Sequence, residues 1–437
     1  MLAGATLFGR RGSGVAVNLP LASLAGKVAG GLTYARASGQ WYQDDAGVWQ
    51  YVAANVPAFN SKGILLEPPS TNKCTCYGVI PADSYAAAVT SGAVLVLGRK
   101  YEIVTQVTTD FTAKGAANNT VGTQFVLTSA CTLGAGDSVK EVQFGIGTKS
   151  YHNGTAFVQN HTNMTLSGDT AAVLTTVDGT ADVLAAKLQN VATSGKVYKV
   201  VTGAGGGASV AIGGTSTATT TSIQAHIMGG TGFIRLTGDR GKVAYGAAAT
   251  MTQRKSENIT SVSGDQMIID IDDNQTVYFL LVQPEDLPSC TSPIPTAGAT
   301  ATRAATALSF ATAGNVSDAA GAIYAEVTPL ETSGVLRNIV GTSRLLYLNA
   351  NQFRSFDGTT LLTWASNVVA DTSYKLAIKW GPSGRSLVGS GQVRATSAYD
   401  GSLDSGGSIG LGGMCYIKNL RIYRKPLSDA QLIAMTT

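Results

Sequence analysis

The chain has 437 residues, enough for two to four domains, and only 13% of them are charged, about half the usual share. Its net charge of +4 is dispersed, with no dense Lys/Arg block, so nucleic-acid binding is not expected. No run of roughly 18 apolar residues occurs, so membrane insertion is not expected either.

Glycine (52 residues), alanine, threonine and serine dominate, a mix that suits short strands and tight turns. The one fair helical pattern is Ala181–Asn190, ahead of a terminal stub. The five cysteines are odd in number and sparse, which argues against a disulfide framework. Cys74-Thr-Cys76 begins no recognisable zinc set, because only three scattered histidines exist. We therefore expect no metal and no cofactor.

In chain order, residues 1–30 are apolar, Gly-rich and aperiodic, and are expected to form an attachment arm. Their charge, Arg10-Arg11, follows the apolar part, the wrong order for a signal peptide, so folding in a cytoplasm is expected. Residues 31–91 hold an aromatic hairpin around the turn Asp44-Asp-Ala-Gly47, then the start of a middle domain. Residues 92–145 read as a small inserted β module, and 146–286 as the rest of a jelly-roll-like middle domain. Prolines 284, 288, 293 and 295 mark residues 287–305 as an extended connector. Residues 306–437 carry further strands and end on one strand, Pro426 and a helix start with the capping-box pair Ser428 and Gln431.

Catalytic motifs are weak. Gly203-Ala-Gly-Gly-Gly-Ala208 follows a strand, but neither a helix nor an acid at about 20 residues follows it. Gly406-Gly-Ser-Ile-Gly410 has no later histidine to serve it. Asp270, Asp272 and Asp273 could offer oxygens to calcium, but a solvated strand face and turn explain them as well. Glu67, Glu285 and Asp286 are the other acids available for glycoside cleavage, and nothing in the sequence pairs them. Aromatic faces that could stack on a sugar are Trp41, Trp49, Tyr51 and Trp364, each also a core candidate.

Three phrases carry a resemblance to phage proteins, and the end of the chain carries another. Thr33-Tyr-Ala-Arg36 through Val56-Pro-Ala-Phe59, then Gly63-Ile-Leu-Leu-Glu-Pro-Pro-Ser-Thr-Asn72, resembles a recurrent module of tailed-phage structural proteins. Its downstream partner is Ser292-Pro-Ile-Pro-Thr296 leading to Thr302-Arg-Ala-Ala305. Gly98-Arg-Lys-Tyr-Glu-Ile103 through Thr109-Asp-Phe-Thr112 to Phe125 resembles a tail-fibre element, and Gly413–Met435 resembles the close of a concanavalin-A-like (laminin-G-like) sandwich. Ala58 stands where the phage module often has arginine.

The resemblance implies an all-β virion appendage, a tail fibre or receptor-binding protein. It implies a homotrimer, joined to other virion proteins through the N-terminal arm and made in the host bacterial cytoplasm. It would adhere to a host surface polysaccharide without catalysis. A head fibre or capsid-decoration protein, and a polysaccharide depolymerase, are the alternatives. Residues 31–72 are expected to pack against the connector or the domain after it.

Overall fold

A computed structural model describes residues 15–20, 32–76, 84–144, 149–161, 163–178, 196–217, 220–246, 252–311, 315–332, 337–340, 345–364, 367–401 and 408–437. The helical pattern at Ala181–Asn190 lies outside them. The fold is all-β, as the composition implies. The chain forms two units: residues 1–70 with 302–437, and residues 71–301 inserted between them.

The first unit is a sandwich of two antiparallel sheets. One runs, in order, through Gln392–Ser397, Arg385–Gly389, Tyr374–Trp380, Gly321–Pro329, Cys415–Tyr423, Gly63–Leu66 and Phe59–Asn60. The other runs through Leu32–Ala35, Ala307–Ala311, Ser408–Leu411, Arg337–Val340, Leu346–Asn349, Gln352–Phe356 and Leu361–Trp364. Alternating side chains from both meet in one core that includes Ile64, Leu66, Phe310, Ile323, Phe353, Trp364, Trp380 and Ile422. The final strand is followed by a helix, Asp429–Thr436, whose capping box is formed between Ser428 and Gln431.

Two boundaries differ from the sequence reading. Residues 32–70 belong to the C-terminal sandwich, because Leu32–Ala35 pairs with Ala307–Ala311 and Ile64–Leu66 pairs with Cys415–Ile417. Within the expected arm, Val15–Pro20 is an edge strand on Cys415–Tyr423. Pairings that span hundreds of residues leave no local trace in a sequence.

The polar residues of the phage-like phrases knit this unit together. Glu67 Oε2 takes Arg303 Nη1 at 2.5 Å and Gln40 Nε2 at 2.5 Å. Gln40 in turn accepts from Arg36, which also donates to the carbonyls of Ser38, Ala53 and Val56. All four side chains are at most 3% exposed. Burial pushes the Arg36 pKa down, and Tyr34 and Glu67 oppose that. Ala58 is wholly buried beside Leu65 and Tyr416, which leaves no room for the arginine common at that place.

The second unit carries a seven-stranded sheet, Phe157–Val158, Lys149–His152, Val173–Asp178, Lys196–Val201, Thr276–Glu285, Thr220–Met228 and Thr252–Thr260. A five-stranded sheet accompanies it, with strictly alternating burial along Ala208–Ile212, Gly232–Leu236 and Met267–Ile271. Its Gly-rich stretch 203–207 is a turn, with Gly203 N–H held by Asp169. The Pro-rich stretch is no free spacer, since Ser289, Thr291 and Thr296 are buried. Asn72 Nδ2 donates to the carbonyls of Val282 and Ile294, and Gln283 accepts from Ile294 N–H. Cys74 and Cys76 form a disulfide, while Cys131, Cys290 and Cys415 are buried thiols.

Within this unit residues 92–144 fold around their own small core of Leu95, Tyr101, Ile103, Phe111, Phe125, Leu133 and Val139. The tail-fibre-like residues build it. Asn119 accepts from Phe111 N–H, Asp110 accepts from Thr112 N–H, and Gly115 ends a short turn at a φ of 109°. Burial raises the Asp137 pKa, but hydrogen bonds from residues 107–109 outweigh it and hold the carboxyl well below its usual range.

All four tryptophans, Trp41, Trp49, Trp364 and Trp380, lie in the first unit, so their fluorescence follows that unit alone. Glu67→Ala leaves Arg303 and Arg36 buried without a carboxylate and should cost the first unit about 3–5 kcal/mol. Denaturant unfolding read by tryptophan emission measures this. A loss under about 1 kcal/mol, the value of a surface pair, would contradict it.

Candidate functional site

The structure separates the four aromatic candidates. Trp41 and Trp49 are buried in the hairpin, and only Tyr51, 56% exposed, shows its ring to solvent. Tyr51 tilts over Trp41 with centroids 5.1 Å apart. Trp364 lies in the sandwich core against Phe353 and Tyr374, under the Arg394 guanidinium at 4.6 Å. A Cβ on Gly389 would stand 2.5 Å from its ring. Three of the four rings therefore offer no free face, because the apolar area they bury holds their own sheets together.

The acids are likewise engaged. Asp270 forms a two-pronged pair with Arg235 and accepts from Ser209, and Asp272 accepts from Thr231. Glu285 is fully buried, with its oxygens on Thr291 N–H, the Thr291 hydroxyl and Gln224. Asp286 pairs with Lys73 at 2.8 Å.

A cavity of about 410 Å³ lies in the second unit, where the small module's sheet meets the seven-stranded sheet. That volume suits a small ligand. Strand alternation builds it. In Lys149–His152, Lys149 and Tyr151 face the cavity while Ser150 turns into the core. Tyr151 pairs with Val173 of the next strand, which lines the same cavity. From the module come Gly98 and Lys100, at the start of the strand Lys100–Thr105.

Gly98 is required by this geometry. Its φ is 84°, and a Cβ there would stand 1.9 Å from the Tyr151 hydroxyl. Asn160 ties the two sheets, donating from Nδ2 to Lys149 O at 2.6 Å and Gly98 O at 3.3 Å. Both amide hydrogens are thereby used, so Oδ1 is the remaining atom. Asn160 is 8% exposed, and among the described residues its Oδ1 has no hydrogen-bond partner. An unmatched buried acceptor costs about 1–3 kcal/mol unless something donates to it. At the rim, His152 takes Gly154 N–H on Nδ1 and packs edge-on against Phe157, so in its neutral form Nε2 carries the proton.

Behind Asn160 a polar relay fixes the segment. Asn160 N–H donates to Ser150 Oγ, which meets His161 Nδ1 at 3.0 Å, and His161 Nε2 meets Thr176 Oγ1 at 3.0 Å. Burial pushes the His161 pKa down to about 3.

The cavity residues escaped sequence reading. Lys149-Ser-Tyr-His152 looks like any half-buried strand, and Gly98 and Asn160 lie 62 residues apart.

No family model matches the chain, and no curated protein does. Among solved structures, it is similar to a Trypanosoma rangeli sialidase mutant displaying trans-sialidase activity, at 12% identity and TM-score 0.23. That likeness covers 26% of this chain and 22% of the sialidase, so the chain spans about a fifth of that protein. A second likeness is to the CBM40 of Ruminococcus gnavus IT-sialidase bound to α2,3-sialyllactose, at 18% identity and TM-score 0.23. It covers 28% of this chain and 85% of that one. A third is to domain 4 of the Geobacillus stearothermophilus arabinanase AbnA with arabinotriose, at 13% identity and TM-score 0.23, over 30% and 73%. Likenesses at these TM-scores assign no function.

His161 and His226 are both buried, each with a pKa pushed down to about 3 from 6.5. Between those values the unfolded chain binds protons that the folded chain refuses, so stability falls as pH drops through that window. Each histidine should weaken the second unit by about 1.4 kcal/mol per pH unit there. Denaturant midpoints read by circular dichroism at pH 7 and pH 4.5 measure this, and equal midpoints would contradict it.

Proposed function

We propose that this chain is a non-catalytic adhesion protein of a phage virion, a tail fibre or receptor-binding appendage, that holds a host surface glycan in the cavity beside Tyr151. The observation that carries the glycan reading is the cavity itself, about 410 Å³, whose wall sets the Tyr151 side chain beside the polar side chains of Lys149, His152 and Asn160. The Tyr151 ring supplies an aromatic face for the apolar C–H side of a sugar. The engaged state of Glu67, Glu285 and Asp270 supports binding without cleavage. The phage assignment rests on the three phrases, whose residues work as clasps and module core, as an appendage scaffold requires.

Assembly as a homotrimer, anchored to other virion proteins through the N-terminal segment, completes this reading. Three copies would strengthen weak sugar contacts by raising effective concentration. Light scattering should give near three times the 44.8 kDa chain mass, and a monomer at micromolar concentration contradicts the trimer.

The glycan reading is tested on an array of bacterial polysaccharides, acidic and neutral. Binding should be seen for the full chain and fall at least roughly tenfold, the loss of one stacked contact, for Tyr151→Ala. A folded Tyr151→Ala protein that binds as before overturns the cavity as the site. Shortened chains after incubation would favour a depolymerase.

A further inference from the structure

We infer that Asn153 is a self-modification site: the loop at residues 153–156 converts the Asn153 amide to a carboxylate through a backbone succinimide, with His152 as the general base. Asn153-Gly154 is the one Asn-Gly pair in the 437 residues. It follows the strand Lys149–His152, whose last residue lines the cavity. The chemistry is independent of what the cavity holds.

The loop brings the reacting groups into place. The nucleophile is Gly154 N, whose N–H donates to His152 Nδ1 at 3.1 Å, within reach of a proton-accepting base. The electrophile is Asn153 Cγ. Its Oδ1 accepts from the N–H groups of Thr155 and Ala156, both at 3.0 Å. These two donors point at the oxygen on which negative charge grows as the carbon is attacked. The leaving group, Asn153 Nδ2, has no hydrogen bond among the described residues, so no partner has to be given up when it departs.

A third bond, Asn153 N–H to Ala156 O at 3.0 Å, closes the loop. Gly154 has a φ of 95° and no atom within 4 Å of where a Cβ would stand, which leaves room for the five-membered ring. All four loop residues are exposed, so water reaches the ring once it has formed.

The step balances without a partner enzyme. Gly154 N bonds to Asn153 Cγ as its proton passes to His152 Nδ1. The Cγ–Nδ2 bond then breaks, Nδ2 takes that proton, and ammonia leaves. Water opens the succinimide at either carbonyl. One opening gives aspartate. The other gives isoaspartate, with the main chain running through the former side chain. The product is heavier by about one mass unit and carries one new negative charge. A fresh chain and an aged one therefore differ in charge next to His152.

The test follows the full chain in neutral buffer over days by peptide mapping, reading the mass and isoaspartate content of the peptide that holds Asn153. Three samples are compared: the native chain, the same chain unfolded in guanidinium, and native His152→Gln. The native chain should convert roughly tenfold faster than the unfolded one, less than an evolved base supplies. His152→Gln, checked as folded by circular dichroism, should fall to near the unfolded rate, and added imidazole should restore part of the loss.

A native rate at or below the unfolded rate shows that the loop shields Asn153, and it overturns the inference whether or not the variant folds. A folded His152→Gln chain that converts as fast as the native one overturns the role given to the imidazole.

Discussion

The first unit depends on one buried carboxylate. Glu67 lies just before the chain leaves this unit, and Arg303 stands just after the chain returns to it. Joining them closes 235 intervening residues into a loop that begins and ends at one place. Gln40 and Arg36 extend the clasp to the hairpin, and Arg36 fixes the carbonyls of Ala53 and Val56. A charge buried this deeply costs several kcal/mol of desolvation unless its partners are all present. Such a network therefore specifies one arrangement more than it adds stability, because any slip of register leaves an unmatched ion.

The same logic explains why a second unit can be carried as an insertion. With the insertion's ends fixed at neighbouring points, the sandwich closes without reference to what lies between. The second unit repeats the device on its own side. Asn72 satisfies two carbonyls more than 200 residues away and accepts from Cys74 N–H. Within it, the small module carries its own core and a carboxylate, Asp137, that gathers the N–H groups of residues 107–109. The seam between module and larger sheet has room for a cavity, since a glycine lets the Tyr151 phenol close on the backbone.

Much of the fold was legible. Alternation and turn residues announced an all-β chain, and the capping box at Ser428 announced the last helix. The residues that repeat in the phage-like phrases were legible as a pattern, and the structure gives their physical work: Tyr101, Ile103, Phe111 and Phe125 are core, and Asp110, Asn119 and Gly115 shape turns. The packing of residues 31–72 against the C-terminal domain was legible from the co-occurring phrases, but the boundary of the middle domain was not, because Leu32–Ala35 finds its partner strand at residue 307. Nor was the site. Solvent-facing aromatics cannot be told from core aromatics by type, and Trp41, Trp49 and Trp364 are core. An orphaned acceptor such as Asn160 Oδ1 exists only once two distant strands have met.

The central claim is that a sugar sits in the cavity between Lys100 and Tyr151. The most direct measurement is a crystal structure of the full chain soaked with a short fragment of the polysaccharide it captures. The account predicts a sugar ring against Tyr151, with a hydroxyl within about 3.2 Å of a polar atom of the cavity wall. A fragment bound instead at the Tyr51 hairpin, with the cavity holding only water, would contradict it.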